Sequence, residues 1–216
     1  CTEIIVVDGG SRDGTASRAA KADARVLRSP PGRAEQMNRG ARAAEGDILL
    51  FLHADTILPA AYERCIRRIL ADPMNVAGAF EFCIGSYSDA PRFLERTINL
   101  RARKLQMPYG DQTLFLKRRT FERLGGFPKM PIMEDYEFVR RLRALGHIAV
   151  AEAPAHTSPR RWKRLGFWKT TVINKLMILG YHTGISPARL AGFYRGASKP
   201  VPTKETHSAE RTIATD

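Results

Sequence analysis

Four short stretches of this 216-residue chain carry side chains able to meet a ligand. His53-Ala54-Asp55 follows an apolar run, residues 48–52. Residues two apart on an extended chain point to one side, so this imidazole and carboxylate could reach one divalent cation. Asp55 or Thr56 could equally cap a helix beginning near Pro59. Glu134-Asp135 is the second stretch. Acidic residues suit a first helical turn, yet two adjacent carboxylates with Glu137 close behind exceed what a cap requires. A carboxylate there stays ionised and suits a general base taking a proton from an alcohol. Asp8 ends a β-branched run and precedes Gly9-Gly10-Ser11-Arg12-Asp13-Gly14. A carboxylate beside flexible glycines could hold a nucleotide base or ribose, or the turn could simply join strand to helix. Arg33 and Asn38 lie near the start of a helix, where cations and amides can meet phosphates. Arg33 is otherwise a solvated charge.

The elements that must position these groups alternate. Five apolar residues at 48–52 suit a strand buried on both faces, with the polarity changing at its carboxyl end, where open α/β sheets bind ligands. Strands are expected over residues 3–8, 24–28, 47–52, 113–117 and 148–151. A half-exposed strand is expected over 76–84, with Phe80, Phe82 and Ile84 on one face. Helices are expected from Thr15 and from Glu134, and over residues 33–45, 61–70 and 90–106. Pro108-Tyr109-Gly110-Asp111-Gln112 is a turn rich in polar groups, and Gly125-Gly126-Phe127-Pro128 is a loop. The order is α/β, with no internal repeat.

A hydrophobic fraction of 44% excludes wholesale disorder, and the length suits one domain with a small appendage. Cys1, Cys65 and Cys83 lack paired spacing, as expected of reduced thiols in a cytosolic chain. No apolar run approaches the roughly 18 residues of a spanning helix. The net charge of +13 suits nucleotide phosphates, nucleic acid or an acidic membrane face.

The ordered set Ile-Ile-Val-Val-Asp-Gly-Gly-Ser-Arg-Asp-Gly-Thr, residues 33–40, Phe-Leu-His-Ala-Asp-Thr, Gly125-Gly126-Phe-Pro and Met-Glu-Asp-Tyr-Glu-Phe resembles family 2 glycosyltransferases. The Tyr-Gly-Asp-Gln turn and the later Arg-Arg-Trp resemble their bacterial branch associated with radical-SAM and selenium-related domains. The resemblance implies a glycosyltransferase A-type fold: a mostly parallel central sheet flanked by helices. It implies that Asp8 contacts the nucleotide base and that Gly10, Arg33, Asn38, Ala54, Asp111 and Gln112 line the donor site. Asp55 would bind Mg²⁺ or Mn²⁺, with His53 as a further ligand and His156 as either another ligand or an exposed loop residue, the latter preferred; Asp135 would be the base, with Glu134 as the next candidate. His53 stands where the usual Asp-x-Asp metal motif has its first Asp, and Gly9 where many relatives have a second Asp. A Gln-x-x-Arg-Trp motif is absent after Asp135, which points to transfer of a single sugar. The fold it resembles has a strand before residues 3–8, inserted between that strand and residues 47–52. This chain is therefore expected to be N-terminally truncated.

From Arg160 the chain changes character. Leu165, Trp168, Val172, Leu176 and Leu179 form one helical stripe, with Lys163, Arg164, Lys169 and Lys175 among them. Such a helix can lie on an anionic membrane, but amphipathic helices more often face their own core, the outcome preferred here. A second helix is expected over 187–194, and the polar tail, residues 199–216, is expected to be disordered. The chain thus divides into a nucleotide-sugar-binding domain (1–155), C-terminal amphipathic helices (156–198) and the tail. The expected activity is metal-dependent, inverting transfer from a nucleotide-diphosphate sugar to an acceptor hydroxyl, with a lipid-linked acceptor among the options. The expected setting is cytoplasmic, at the inner membrane face, without a nucleic-acid partner. The rivals are a nucleotidyltransferase and a non-catalytic basic binding protein.

Overall fold

A computed structural model describes residues 2–85 and 92–197. β1 (Ile5–Asp8) leads through the glycine turn into α1 (Thr15–Lys21), and β2 (Arg25–Arg28) returns to pair with β1 in parallel. α2 (Arg33–Ala43) precedes β3 (Ile48–Phe51), a short β4 (Thr56–Ile57) and α3 (Tyr62–Ala71). β5 (Asn75–Ile84), α4 (Arg92–Leu105), a 3-10 turn (Gly110–Gln112) and β6 (Leu114–Lys117) follow. Then come α5 (Arg118–Arg123), α6 (Glu134–Arg143) and β7 (His147–Thr157). The larger sheet has five strands in the order β3-β6-β5-β7-β4. β3, β5 and β7 run one way, with β6 and β4 opposed, so the sheet is mixed. β1 shares no ladder with β3 among the described residues.

β5 differs from the expected half-exposed strand. It lies between β6 and β7, and Ala77, Ala79, Phe80, Phe82 and Ile84 are all buried. The small residues ahead of the aromatics, Ala77, Gly78 and Ala79, explain this. A Cβ on Gly78 would stand 2.4 Å from the Phe115 ring, so only glycine lets β6 lay an aromatic across this strand. α3 supplies Ile66 and Leu70 to a cluster with Phe80 and Phe115. A second cluster joins Ala34 and Ala41 of α2, Leu114 and Leu116 of β6, and Phe138, Val139 and Leu142 of α6. These clusters clamp the carboxyl ends of the strands between α2 and α6.

α7 (Arg160–Leu165), α8 (Phe167–His182) and α9 (Pro187–Ala197) close the described chain. The packing face of α8 is Thr170, Ile173, Met177 and Gly180. Trp168, Val172, Leu176 and Leu179 are exposed, contrary to the expectation that this stripe meets the domain. The reason is steric. The gap beside Met133 and Leu190 accepts Ile173 and Met177 only where Gly180 lets α9 approach; a Cβ there would lie 2.9 Å from Leu190. No described helix is long and apolar enough to cross a membrane. The polar tail, residues 199–216, lies outside the described residues.

Candidate active site

Arg33 is the first residue of α2, and its guanidinium meets three side chains from two other segments, the loop after β3 and the start of α6. Its Nη2 lies 2.9 Å from Nε2 of His53 and 3.9 Å from Oδ2 of Asp135, and its Nε lies 3.2 Å from Oε1 of Glu134. A guanidinium only donates, so Nε2 of His53 accepts and the ring is neutral, with its proton on Nδ1. Burial, then the Arg33 charge, hold the His53 pKa below its ordinary value, in agreement with that state. Both Asp135 oxygens accept backbone N–H groups, Oδ2 from Gly110 at 3.0 Å and Oδ1 from Tyr136 at 2.8 Å. The carboxylate is thereby fixed at the start of α6, yet its side chain stays 23% exposed.

Glu134 is 2% exposed, and its carboxylate meets the guanidinium of Arg33. Burial and the neighbouring Asp135 push its pKa up. Glu137 does different work. It binds Arg140, Arg141 and the hydroxyl of Tyr181, which tie α6 to α8 and hold its pKa down to about 2. Beside it, the Tyr136 hydroxyl meets His182 Nε2 at 2.6 Å.

The polar turn supplies the facing wall. Gln112 is wholly buried, with its amide on the carbonyl of Phe80, the N–H of Tyr109 and Arg101. It shapes the turn from within the fold. Arg101 stacks on the Tyr109 ring, 3.6 Å from its centre. Asp111 is pushed up by burial, with His53 and Arg101 opposing, and its Oδ1 is buried without a hydrogen-bond partner among the described residues.

Asn38, expected in the donor site, holds two parts of the fold together. Its amide donates to the carbonyl of Phe127 and accepts the Phe127 N–H, both at 2.8 Å, pinning α2 to the Gly125-Gly126 loop. One amide N–H and the amide oxygen are thereby engaged within the fold. Asp8 accepts the N–H of Ser11, and the Ser11 hydroxyl above all holds its pKa down, so it stays ionised at the head of the turn. Gly10 has a φ of 98° with open space where a Cβ would be. Ala54 and Asp55 are exposed. Asp55 caps no helix, because α3 starts at Tyr62 with Ala61 before it.

The expected metal set is not assembled. His156 lies within β7, paired with Ile57 and Cys83, and among the described residues no three His, Cys, Asp or Glu side chains form a metal-holding group. His53 has turned its lone pair to Arg33 instead. The donor chemistry nevertheless fits a hard divalent cation. The charges of Asp111, Asp135 and Asp55 all act on His53, and Asp111 Oδ1 lacks a partner. Tyr109, Gly110 and Arg101 were not foreseen as site-forming. The polar character of the Pro108–Gln112 stretch was the available signal.

A family model described as Glycosyl transferase family 2 matches residues 2–125. The fold is similar to that of the mannosyltransferase PcManGT from Pyrobaculum calidifontis, solved with GDP-Man and Mn²⁺. The identity is 23% and the TM-score 0.60, over 91% of this chain and 59% of that one. It is also similar to glucosyl-3-phosphoglycerate synthase from Mycobacterium tuberculosis, solved with Mn²⁺, UDP and phosphoglyceric acid. There the identity is 24% and the TM-score 0.57, over 85% of this chain and 68% of that one. The curated glucosyl-3-phosphoglycerate synthase of Mycolicibacterium paratuberculosis is 39% identical over 66 residues, 26% of this chain and 20% of that protein. This chain thus matches only a fifth of that relative's length. More than half of the chain lies under the family model, on a fold its neighbours share, and the chain belongs to glycosyl transferase family 2.

Proposed function

We propose that this chain transfers a single sugar from a nucleotide-diphosphate donor to an acceptor hydroxyl, inverting the anomeric carbon. The observation that carries it is the Asp135 carboxylate, fixed by two backbone N–H groups and facing an arginine held at the end of β3. Asp135 takes the proton of the acceptor hydroxyl as its oxygen bonds to the anomeric carbon, and the bond to the diphosphate breaks with its electron pair. Arg33 offers positive charge to that diphosphate, and Glu134 positions Arg33. Asp8 accepts from the nucleotide base, while Gly10 and Ala54 leave room for the donor. Asp55, His53 and Asp111 have the donor types to hold Mg²⁺ or Mn²⁺, a cation that when bound neutralises charge on the leaving diphosphate. The nucleotides named for the neighbours, the sugar donor GDP-Man in one and UDP in the other, support this reading. The Tyr109-Gly110-Asp111-Gln112 turn supports the branch associated with radical-SAM and selenium-related domains.

Two variants test it. Asp135→Asn keeps diphosphate affinity and lowers turnover about a hundredfold or more, the loss expected of a general base. Asp55→Ala stays folded and loses the Mn²⁺-dependent part of diphosphate binding in titration calorimetry. Wild-type turnover in the first variant would remove Asp135 as the base. Unchanged affinity in the second would remove Asp55 as a ligand.

A further inference from the structure

α8 turns an apolar face outward as well as inward. Trp168 is 79% exposed, Leu179 60%, Val172 52% and Leu176 45%. At 3.6 residues per turn these four fall on one stripe, opposite the face packed on the domain. Lys169 borders the stripe on one side and Lys175 on the other, both exposed. On α9 the exposed Phe193 follows the exposed Arg189 by one turn. Residues 158–197 contain eight Lys and Arg and no Asp or Glu.

We propose that this face docks on a bilayer surface containing anionic lipid, with α8 lying in the interfacial plane. Three observations favour that occupant. The stripe is apolar with a tryptophan at one end, while lysines on both flanks can lay their stems on it and keep their charges in the headgroup layer. The 16 residues of α8 are too few to span the bilayer core, so the helix lies on the membrane. A second copy of the chain would set two faces rich in lysine and arginine against each other, an arrangement that like charges oppose. The last turn of α8 is bonded to α6 through His182 and Tyr136, next to Asp135, so the docked helix adjoins the carboxylate cluster. The proposal does not depend on sugar transfer, and its test uses no donor.

The test is co-sedimentation of the whole chain with vesicles of phosphatidylcholine alone or mixed with phosphatidylglycerol. Binding is expected only to the mixed vesicles, and it weakens as salt rises through the screening range. Lys169→Gln and Lys175→Gln each lower partitioning about fivefold, the equivalent of one basic residue at the surface. Lys21→Gln, an equal loss of charge on α1, leaves it unchanged. Trp168 emission shifts to the blue on binding, and Trp168→Phe removes that shift while buried Trp162 stays silent. These surface changes leave the thermal melt intact. No binding, equal binding to neutral vesicles, or an equal effect of Lys21→Gln would overturn the proposal. So would a dimer in light scattering that Trp168→Ser dissolves, since the face would then belong to a second copy.

Discussion

A methyl group at Gly110 separates site geometry from fold. Its Cβ would lie 2.9 Å from Asp135 Oδ2, 3.0 Å from Arg33 Nη2 and 3.1 Å from His53 Nε2. Non-bonded heavy atoms settle at about 3.5 Å, so each partner must retreat by about half an ångström. All three are ends of flexible side chains, and Gly110 is not among the residues with positive φ. The backbone therefore has no reason to move. Severing the 3.0 Å bond from Gly110 N to Asp135 costs at most about 1.5–3 kcal/mol, as for bonds to charged groups. The alanine offsets about 0.4–1 kcal/mol of that by restricting the unfolded chain. Gly110→Ala should therefore fold, with its urea midpoint only slightly lowered. Chemistry is less forgiving, because a misplacement of about 1 Å can cost about a hundredfold. We expect release of nucleoside diphosphate from the donor to fall about ten- to a hundredfold. Combining Gly110→Ala with Asp135→Asn should cost little more than Asp135→Asn alone, since both act through one carboxylate. Full turnover in Gly110→Ala, or additive losses in the pair, would refute this account of the cluster.

Asn38→Ala should destabilise the chain by about 2–4 kcal/mol, because the Phe127 N–H and carbonyl are both left buried and unpaired. Its diphosphate affinity, measured below the melt, should match wild type; a specific loss would return Asn38 to the donor site. Glu137 has its pKa lowered from 4.5 to about 2, chiefly by Arg140, so its stabilisation is present above pH 4.5 and lost as pH falls toward 2. The contribution is at most about 3 kcal/mol and is reduced by solvent around the arginines. Glu137→Gln should therefore melt below wild type at pH 6 and converge with it near pH 2; parallel curves would show that the ion pairs contribute nothing.

The strands that end in the site were legible because each pairs an apolar run with an abrupt change to polar residues, as at Phe51-Leu52-His53. The extent of β7 was not. It was expected to end at Ala151, yet the strand continues through Glu152 and Pro154 to Thr157, across a register shift opposite Phe80 and Glu81. A bulge absorbs extra residues that a period-two pattern reads as a stop. α5 was missed because six residues, three of them arginine, carry no apolar stripe. Periodicity correctly grouped Trp168, Val172, Leu176 and Leu179 on one face of α8, but it cannot say which face meets the domain. The packing face is disguised by Thr170 and Gly180, whose value lies in close approach. The backbone contacts of Asn38 and Gln112 were not legible, because an amide suits a phosphate and a backbone pin equally well and its long-range partners are not local in sequence.

Asp111 has a consequence for how the protein responds to its ligands. A buried carboxylate oxygen without a hydrogen-bond partner lowers the stability of the fold, and the other charges around it oppose the burial cost only in part. Removing that charge as Asp111→Asn should raise the melting temperature while weakening any cation that needs the oxygen, a trade of activity against stability. A cation that does bind there adds its own binding free energy to the fold, increasing with the logarithm of its concentration. Melting temperature then becomes a titration curve, and its slope with Mn²⁺ in wild type, absent in Asp111→Asn, would measure occupancy of the site without any knowledge of the sugar or the acceptor.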